Sequence, residues 1–250
     1  MTDQKIFVAS DEAKAKAGQF RLFAVLAWLV AIAGEVFAIL KLIHDSTMIW
    51  LIVAIVVILI LAIVGNLLWK KANRLDPPSE ANKVSFFFKS QLGAIMSVLA
   101  FLPLVIMIFT NKEASGKTKG IAGAVAIVAL LAAGITGVDF NPASIEKYSK
   151  QIQEQTDSLK QIAPNAEFVY WIGEAGKIKD STHKYHIYED CQYIKEKENV
   201  QKGTIKDAFS KNGESELCKV CKARALKEKE TPSENLLEQV QEAVTGDSVQ

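Results

Sequence analysis

Between Asp45 and Lys70 the chain carries no acidic or basic side chain, and Met48–Trp69 (MIWLIVAIVVILILAIVGNLLW) is an almost unbroken run of Ile, Val, Leu and Ala. A soluble helix of that length would keep a polar face toward water; this one has none. A bilayer core about 30 Å thick is crossed by roughly 20 apolar residues in a helix, which satisfies its backbone polar groups internally. The run is therefore read as a transmembrane span over 48–69. Three more stretches qualify, over about 20–42, 89–110 and 120–137, so residues 20–138 are expected to form a four-helix transmembrane domain. The third contains Pro103, a position where a helix ladder is interrupted. The fourth, Gly120–Gly137, is rich in Ala and Gly, which permits close helix approach.

The first span carries Glu35, only about four residues, or roughly 6 Å along the axis, from its middle. A carboxyl at that depth is expensive. It either serves a proton or ion pathway or is neutralised and hydrogen-bonded against another helix. No further acidic or basic residue lies deep in the other spans. About 19 polar residues precede the first span, and its apolar stretch is too long for the core of a signal peptide, so an uncleaved helix is expected. Lys5, Lys14, Lys16, Arg21, Lys70, Lys71, Arg74, Lys83 and Lys89 flank one side, against Lys41, Lys112, Lys117 and Lys119 on the other. The excess predicts a multi-pass protein of the cell membrane with both termini in the cytoplasm, residues 1–19 forming the N-terminal tail. The loops on the opposite face are too short to form an ectodomain.

Composition changes beyond the last span. Residues 1–137 hold 21 charged side chains and a net charge of +5, and residues 138–250 hold 36 and a net charge of −4. Neither value suits nucleic acid as a partner. Asn141-Pro142 reads as a helix start, and a polar juxtamembrane helix is expected over 141–163. Ile145, Tyr148, Ile152, Leu159 and Ile162 follow coiled-coil spacing, which offers a route to a homo-oligomer; otherwise the helix is a spacer.

All three cysteines lie between Cys191 and Cys221, with His183 and His186 just upstream. An odd count in a cytoplasmic segment argues against disulfides and for a metal. Structural zinc takes four N/S ligands, commonly as two short pairs. His186 with Cys191 and Cys218 with Cys221 are such pairs, and a helix beginning at the CxxC would place its N-terminal amides near the sulfurs. On a strand, positions 183 and 186 face opposite ways. His186 is expected to bind and His183 to lie on the surface or outside the ligand shell. A filled His-Cys₃ set leaves no coordination position for substrate, so the Zn²⁺ is expected to be structural. It would help a small segment, residues 166–227, to fold. Within it, Glu167–Gly173 and Thr182–Tyr188 read as paired strands joined by a turn through Glu174–Asp180. Thr204 with Asp207 reads as a capping box for a short helix to about Lys211, and Leu217–Lys227 reads as the last helix. Residues 228–250 form a polar tail, with Leu236, Leu237, Val240 and Val244 at helical spacing.

Val169-Tyr170-Trp171, Lys184-Tyr185-His186 with Cys191, Gly203-Thr204-Ile205-Lys206-Asp207-Ala208 and Cys218-Lys219-Val220-Cys221 resemble a small bacterial module of the pattern YH…C…GT…EA…CxxC. That module recurs appended to uncharacterised bacterial membrane proteins and to secreted or nuclease-like proteins and is distantly similar to the Ada-type metal-binding fold; with the spans before it, the chain resembles an uncharacterised bacterial four-helix membrane protein carrying it. The resemblance covers roughly residues 166–225 and implies zinc on His186, Cys191, Cys218 and Cys221. Here a histidine replaces one sulfur of the Ada-type site, and Gly173–Thr182 is an insertion.

The expected fold class is thus an all-α transmembrane domain of four helices plus a small α+β zinc-binding C-terminal domain. No Ser/His/Asp set, phosphate loop or HExxH is present, so no catalytic residues are assigned and the expectation is not an enzyme. The reading that follows is a membrane protein whose cytoplasmic zinc module senses a signal or recruits a protein partner. Two alternatives stand beside it: a small transporter or channel with Glu35 on its pathway, and a metal-dependent enzyme with an open zinc position.

Overall fold

The structure, a computed structural model, describes residues 7–173 and 183–229. The chain separates into two compact units, Lys14–Ile145 and the combination of Met1–Ala13 with Glu146–Gln250. The first unit is built from α1 (Asp11–Lys41), a single 3-10 turn (Asp45–Thr47), α2 (Met48–Leu75), α3 (Lys83–Thr110) and α4 (Gly116–Gly137). All four helices are long and apolar enough to cross a membrane. Their ends follow local chemistry: the Asn82 side chain accepts from Ser85 N–H at 3.0 Å and the Ser115 hydroxyl accepts from Thr118 N–H at 3.3 Å, each filling an N-terminal amide.

Small residues set the spacing of α3 and α4. Ala122, Ala126, Ala129, Ala133 and Gly137 form a buried stripe on α4, and a Cβ on Gly137 would lie 2.5 Å from the backbone nitrogen of Ala94. Ala17, Ala24, Ala31 and Ala38, each fully buried and seven residues apart, give α1 a comparable inner seam. Between them, also seven apart, come Arg21, Trp28 and Glu35, and each reaches a different partner. Arg21 pairs with Asp76 at 2.8 Å. The Trp28 indole N–H donates to Asn66 Oδ1 at 3.2 Å, lying against Gly65, whose missing side chain makes the room. Glu35 Oε1 accepts from Leu104 N–H at 3.1 Å.

Asn66 is the polar centre of this unit. Besides accepting from Trp28, its Nδ2 donates to Ser97 Oγ and to Ala133 O, both at 3.0 Å, so one side chain on α2 bonds to α1, α3 and α4. Nothing in the apolar pattern singles it out. Leu22, Phe23, Leu29, Ile49, Trp50, Ile60 and Leu131 point outward, as lipid-facing side chains must where solvent is hydrocarbon.

The second unit holds α5 (Ile145–Ile162), β1 (Val169–Ile172), β2 (Lys184–His186), β3 (Val200–Gly203), α6 (Ile205–Asn212), β4 (Glu216–Leu217) and a helix, α7, over 219–229. The strands form one sheet in the order β3-β1-β2-β4, with β1 antiparallel to β2 and β3, and β2 parallel to β4. The Thr204–Asp207 capping box opens α6 with both of its hydrogen bonds made. Strands β3 (VQKG) and β4 (EL) were not expected, because neither carries a run of β-branched or aromatic residues like that of β1. The helix expected to start at Asn141 begins instead at Ile145. Asn141 N–H donates to the Asp139 side chain at 3.2 Å, and Ile145 N–H donates to Pro78 O at 3.2 Å, so the preceding residues are held in an extended turn. The expected turn at Glu174–Asp180 and the leucine and valine pattern beyond residue 230 lie outside the described residues.

Residues 7–13 are part of this second unit. Phe7 N–H donates to Ser149 Oγ at 3.0 Å, and the Phe7 ring packs edge-on against Tyr148 at 5.0 Å, which in turn meets Phe209 at 5.7 Å. Ser210 donates its hydroxyl to Val8 O at 2.5 Å, Ser10 N–H donates to Ser210 O at 2.9 Å, and Glu12 pairs with Lys211 at 3.0 Å. Part of the stretch read as an N-terminal tail is thus a strap across α5 and α6, and α1 begins within it at Asp11. The strap and the rest of this unit also account for the coiled-coil spacing on α5. Tyr148, Ile152 and Leu159 are buried within the single chain, and Gln155, in the gap of the pattern, donates to Ser215 O at 2.9 Å.

Candidate metal centre

Sheet pairing assembles the site from three separate pieces of sequence. The parallel register pairs Tyr185 with Leu217, and the next amide, Cys218 N–H, continues the ladder by donating to Tyr185 O at 2.8 Å. His186 at the end of β2 is thereby brought beside Cys218 at the end of β4. Helix α7 starts at the following residue, which puts Cys221 in its first turn, and Lys222 N–H closes back on Cys218 O at 2.9 Å. Cys191 arrives on the turn after β2, where its N–H donates to Tyr188 O at 3.2 Å and its carbonyl accepts from Ile194 and Lys195 N–H, each at 2.9 Å.

The result is a cluster of His186, Cys191, Cys218 and Cys221, all buried, with one ligand atom from each within 4.8 Å of the others. His186 Nδ1 lies 3.2 Å from Cys191 Sγ and 3.6 Å from Cys221 Sγ. The three sulfurs are free thiols, and the group can hold a metal ion. No carboxylate joins it among the described residues.

Burial favours the uncharged forms of the donors. Burial pushes the His186 imidazole down to about 4, so it presents a neutral ring with a lone pair. Burial, with the neighbouring Cys191 thiol acting in the same direction, pushes the Cys221 thiol up to about 12, even though the backbone amides of Ile187 and Tyr188 pull the other way. Those amides favour the thiolate form, and a metal ion held there would supply the positive charge that completes its stabilisation. Neither residue was marked by the sequence pattern, because a backbone donor has no side-chain signature.

His183, the other nitrogen weighed from sequence, lies outside the cluster, its Nδ1 3.1 Å from Glu214 O. Glu35, in the other unit, is buried against Leu104 N–H. Pro103 lacks an N–H and crowds the carbonyl one turn back, so the ladder is weakened where the Glu35 carboxyl enters. On α7, Arg224 is engaged by Asp190 and Glu228.

Comparison with protein-family models, with curated proteins and with solved structures found no match to this chain. The likeness to an Ada-type module therefore rests on the motif residues alone.

Proposed function

We propose that this chain is an integral membrane protein whose C-terminal module is built on a structural zinc ion and acts as a sensing or partner-recruiting domain on the cytoplasmic side. The observation that carries the reading is the closed donor set: one imidazole and three thiols, all buried, with ligand atoms within 4.8 Å. Zinc bonds of about 2.0–2.3 Å to nitrogen and sulfur give tetrahedral edges of roughly 3.4–3.8 Å, which the two histidine-to-sulfur distances of 3.2 and 3.6 Å approach. Soft thiolates with one imidazole select zinc over magnesium or calcium. Four protein ligands leave no place for a substrate or an activated water, which supports a structural role over an enzymatic one.

The sensing part of the proposal draws on the strap. Residues 7–13 pack on the same unit that holds the cluster, and α1 continues from them without a break to Lys41. A change in the module has a direct covalent path into the first membrane helix.

The test uses the full chain in detergent or nanodiscs, because a fragment starting near Asn165 would lack α5 and the strap. One zinc per chain is expected, falling to none in Cys218→Ser and His186→Ala and retained in His183→Ala. Protein that carries no metal after purification without chelator, and takes up none on titration, would remove the zinc reading. Retention of a full equivalent by His186→Ala would instead show an open site and revive the enzymatic alternative.

A further inference from the structure

We propose that Tyr188 and Arg224 form a clasp that sets how long the metal stays in the site, acting through the turn that carries Cys191 and the helix that carries Cys221. The inference rests on the zinc reading and concerns positioning, since neither side chain belongs to the donor set.

Tyr188 meets the site in four ways. Its carbonyl accepts from Cys191 N–H at 3.2 Å. Its own amide, with that of Ile187, is directed at Cys221 Sγ. Its ring lies under the Arg224 guanidinium, 3.9 Å from the centroid, and its hydroxyl donates to Glu228 Oε2. Arg224 then ties the two halves together. Its Nη1 is 2.9 Å from each carboxylate oxygen of Asp190, the residue before Cys191, and its Nε donates to Glu228 Oε1 at 2.9 Å. Arg224 itself follows Cys221 by three residues on α7, so the same helix turn carries a ligand and the clasp.

An isolated exposed ion pair contributes little. Here one planar cation stacks on a ring and bridges two carboxylates, an arrangement that lysine's point charge cannot reproduce. Release of a four-coordinate metal begins when one ligand leaves, and a swing of the 187–191 turn away from α7 carries Cys191 out of the site. That is the motion the clasp opposes. The carboxylates and guanidinium are about half exposed or more, so salt screens the charged part of this resistance.

The experiment times transfer of zinc from the full-length protein in detergent to a colorimetric chelator, at low and high salt. Stoichiometry is measured first, and cobalt-substituted samples report the ligand set. Arg224→Met is expected to start with the wild-type cobalt–thiolate spectrum but to release zinc about tenfold faster at low salt, as loss of a stacked, bridging cation would give. Wild-type release should quicken with salt and the variant's should not. Arg224→Lys should not restore the slow rate. Lys222→Met, which removes the same charge from α7 outside the clasp, should behave as wild type. Wild-type rate and salt dependence in Arg224→Met would overturn the clasp while leaving the zinc reading intact. If Arg224→Met does not fold, Tyr188→Phe and Asp190→Asn carry the test, and unchanged release in both overturns it. Metal-free wild-type protein would sink the zinc reading itself, and the clasp with it.

Discussion

His186 is the residue at which acid should be felt first. Burial holds its imidazole near 4, against 6.5 for an exposed histidine. Between those values the unfolded chain binds the proton and the folded one does not, so stability rises with pH across this interval. The contribution is complete above about 6.5 and is lost as pH falls toward 4, and proton competition for the thiolates acts in the same direction. Metal retention and folding followed together on acidification should both fail within that window; a module unchanged from pH 7 down to 4 would contradict the buried neutral imidazole. Glu35 offers a second test. Its acceptor role toward Leu104 N–H survives in Glu35→Gln but not in Glu35→Leu, which leaves a buried amide unpaired at a cost of about 1–3 kcal/mol. Thermal unfolding in detergent should separate the two variants, and equal midpoints would show that the hydrogen bond is not what this carboxyl is for.

At the scale of elements, helix spacing and the strap make the sharpest predictions. With a Cβ at Gly137 falling 2.5 Å from Ala94 N, Gly137→Val must push α3 and α4 apart. The expected loss is about 1–3 kcal/mol, as in other overpacked cores, read as a lower unfolding temperature. Phe7→Ala removes a buried ring from the aromatic stack with Tyr148 and Phe209. The loss for a buried Phe is about 3–5 kcal/mol where the site cannot collapse; a terminal strap has the alternative of detaching. Protease cleavage within residues 7–13 should therefore accelerate in Phe7→Ala while one metal per chain is retained. Unaltered protection would mean that the strap is held by its backbone and serine contacts alone. Helix α5 illustrates how an element's sequence can be legible and its partner not. The heptad positions Tyr148, Ile152 and Leu159 are buried as their spacing implies, yet what buries them lies in the same chain rather than in a second copy. Spacing reports that a face is apolar and carries no information about what covers it.

For the whole molecule, four membrane-capable helices separate the strap from the rest of its own unit. An even number of crossings returns the chain to the side it left, which the packing of residues 7–13 with α5 and α6 requires. Tags at the two termini should thus be reached by the same impermeant reagent on the same face. The excess of Lys and Arg around that face predicts that it is cytoplasmic. A cysteine introduced within residues 111–119 should label from outside intact cells, and labelling of the 70–91 loop instead would invert the orientation.

Sequence alone marked the four helices that are long and apolar enough to cross a membrane, because hydrocarbon accepts only internally bonded helices of a fixed minimum length. It also marked the four residues that the fold gathers into a cluster able to hold a metal ion, since two short His/Cys pairs carry the spacing of a tetrahedral site. The capping box at Thr204 was equally local. Tertiary structure decided the rest. The strap pairs residues about 200 positions apart, Val8 with Ser210, and no short-range pattern encodes such a contact. Asn66 looks unremarkable in a row of aliphatic residues until three other helices present Trp28, Ser97 and Ala133 to it. The amides of Ile187 and Tyr188 acquire a role only once the sheet register delivers Cys221 opposite them. Local chemistry writes lengths, caps and ligand pairs into the chain. Partners that are distant in sequence are chosen by which surfaces fit, and that choice appears only when the whole chain is packed.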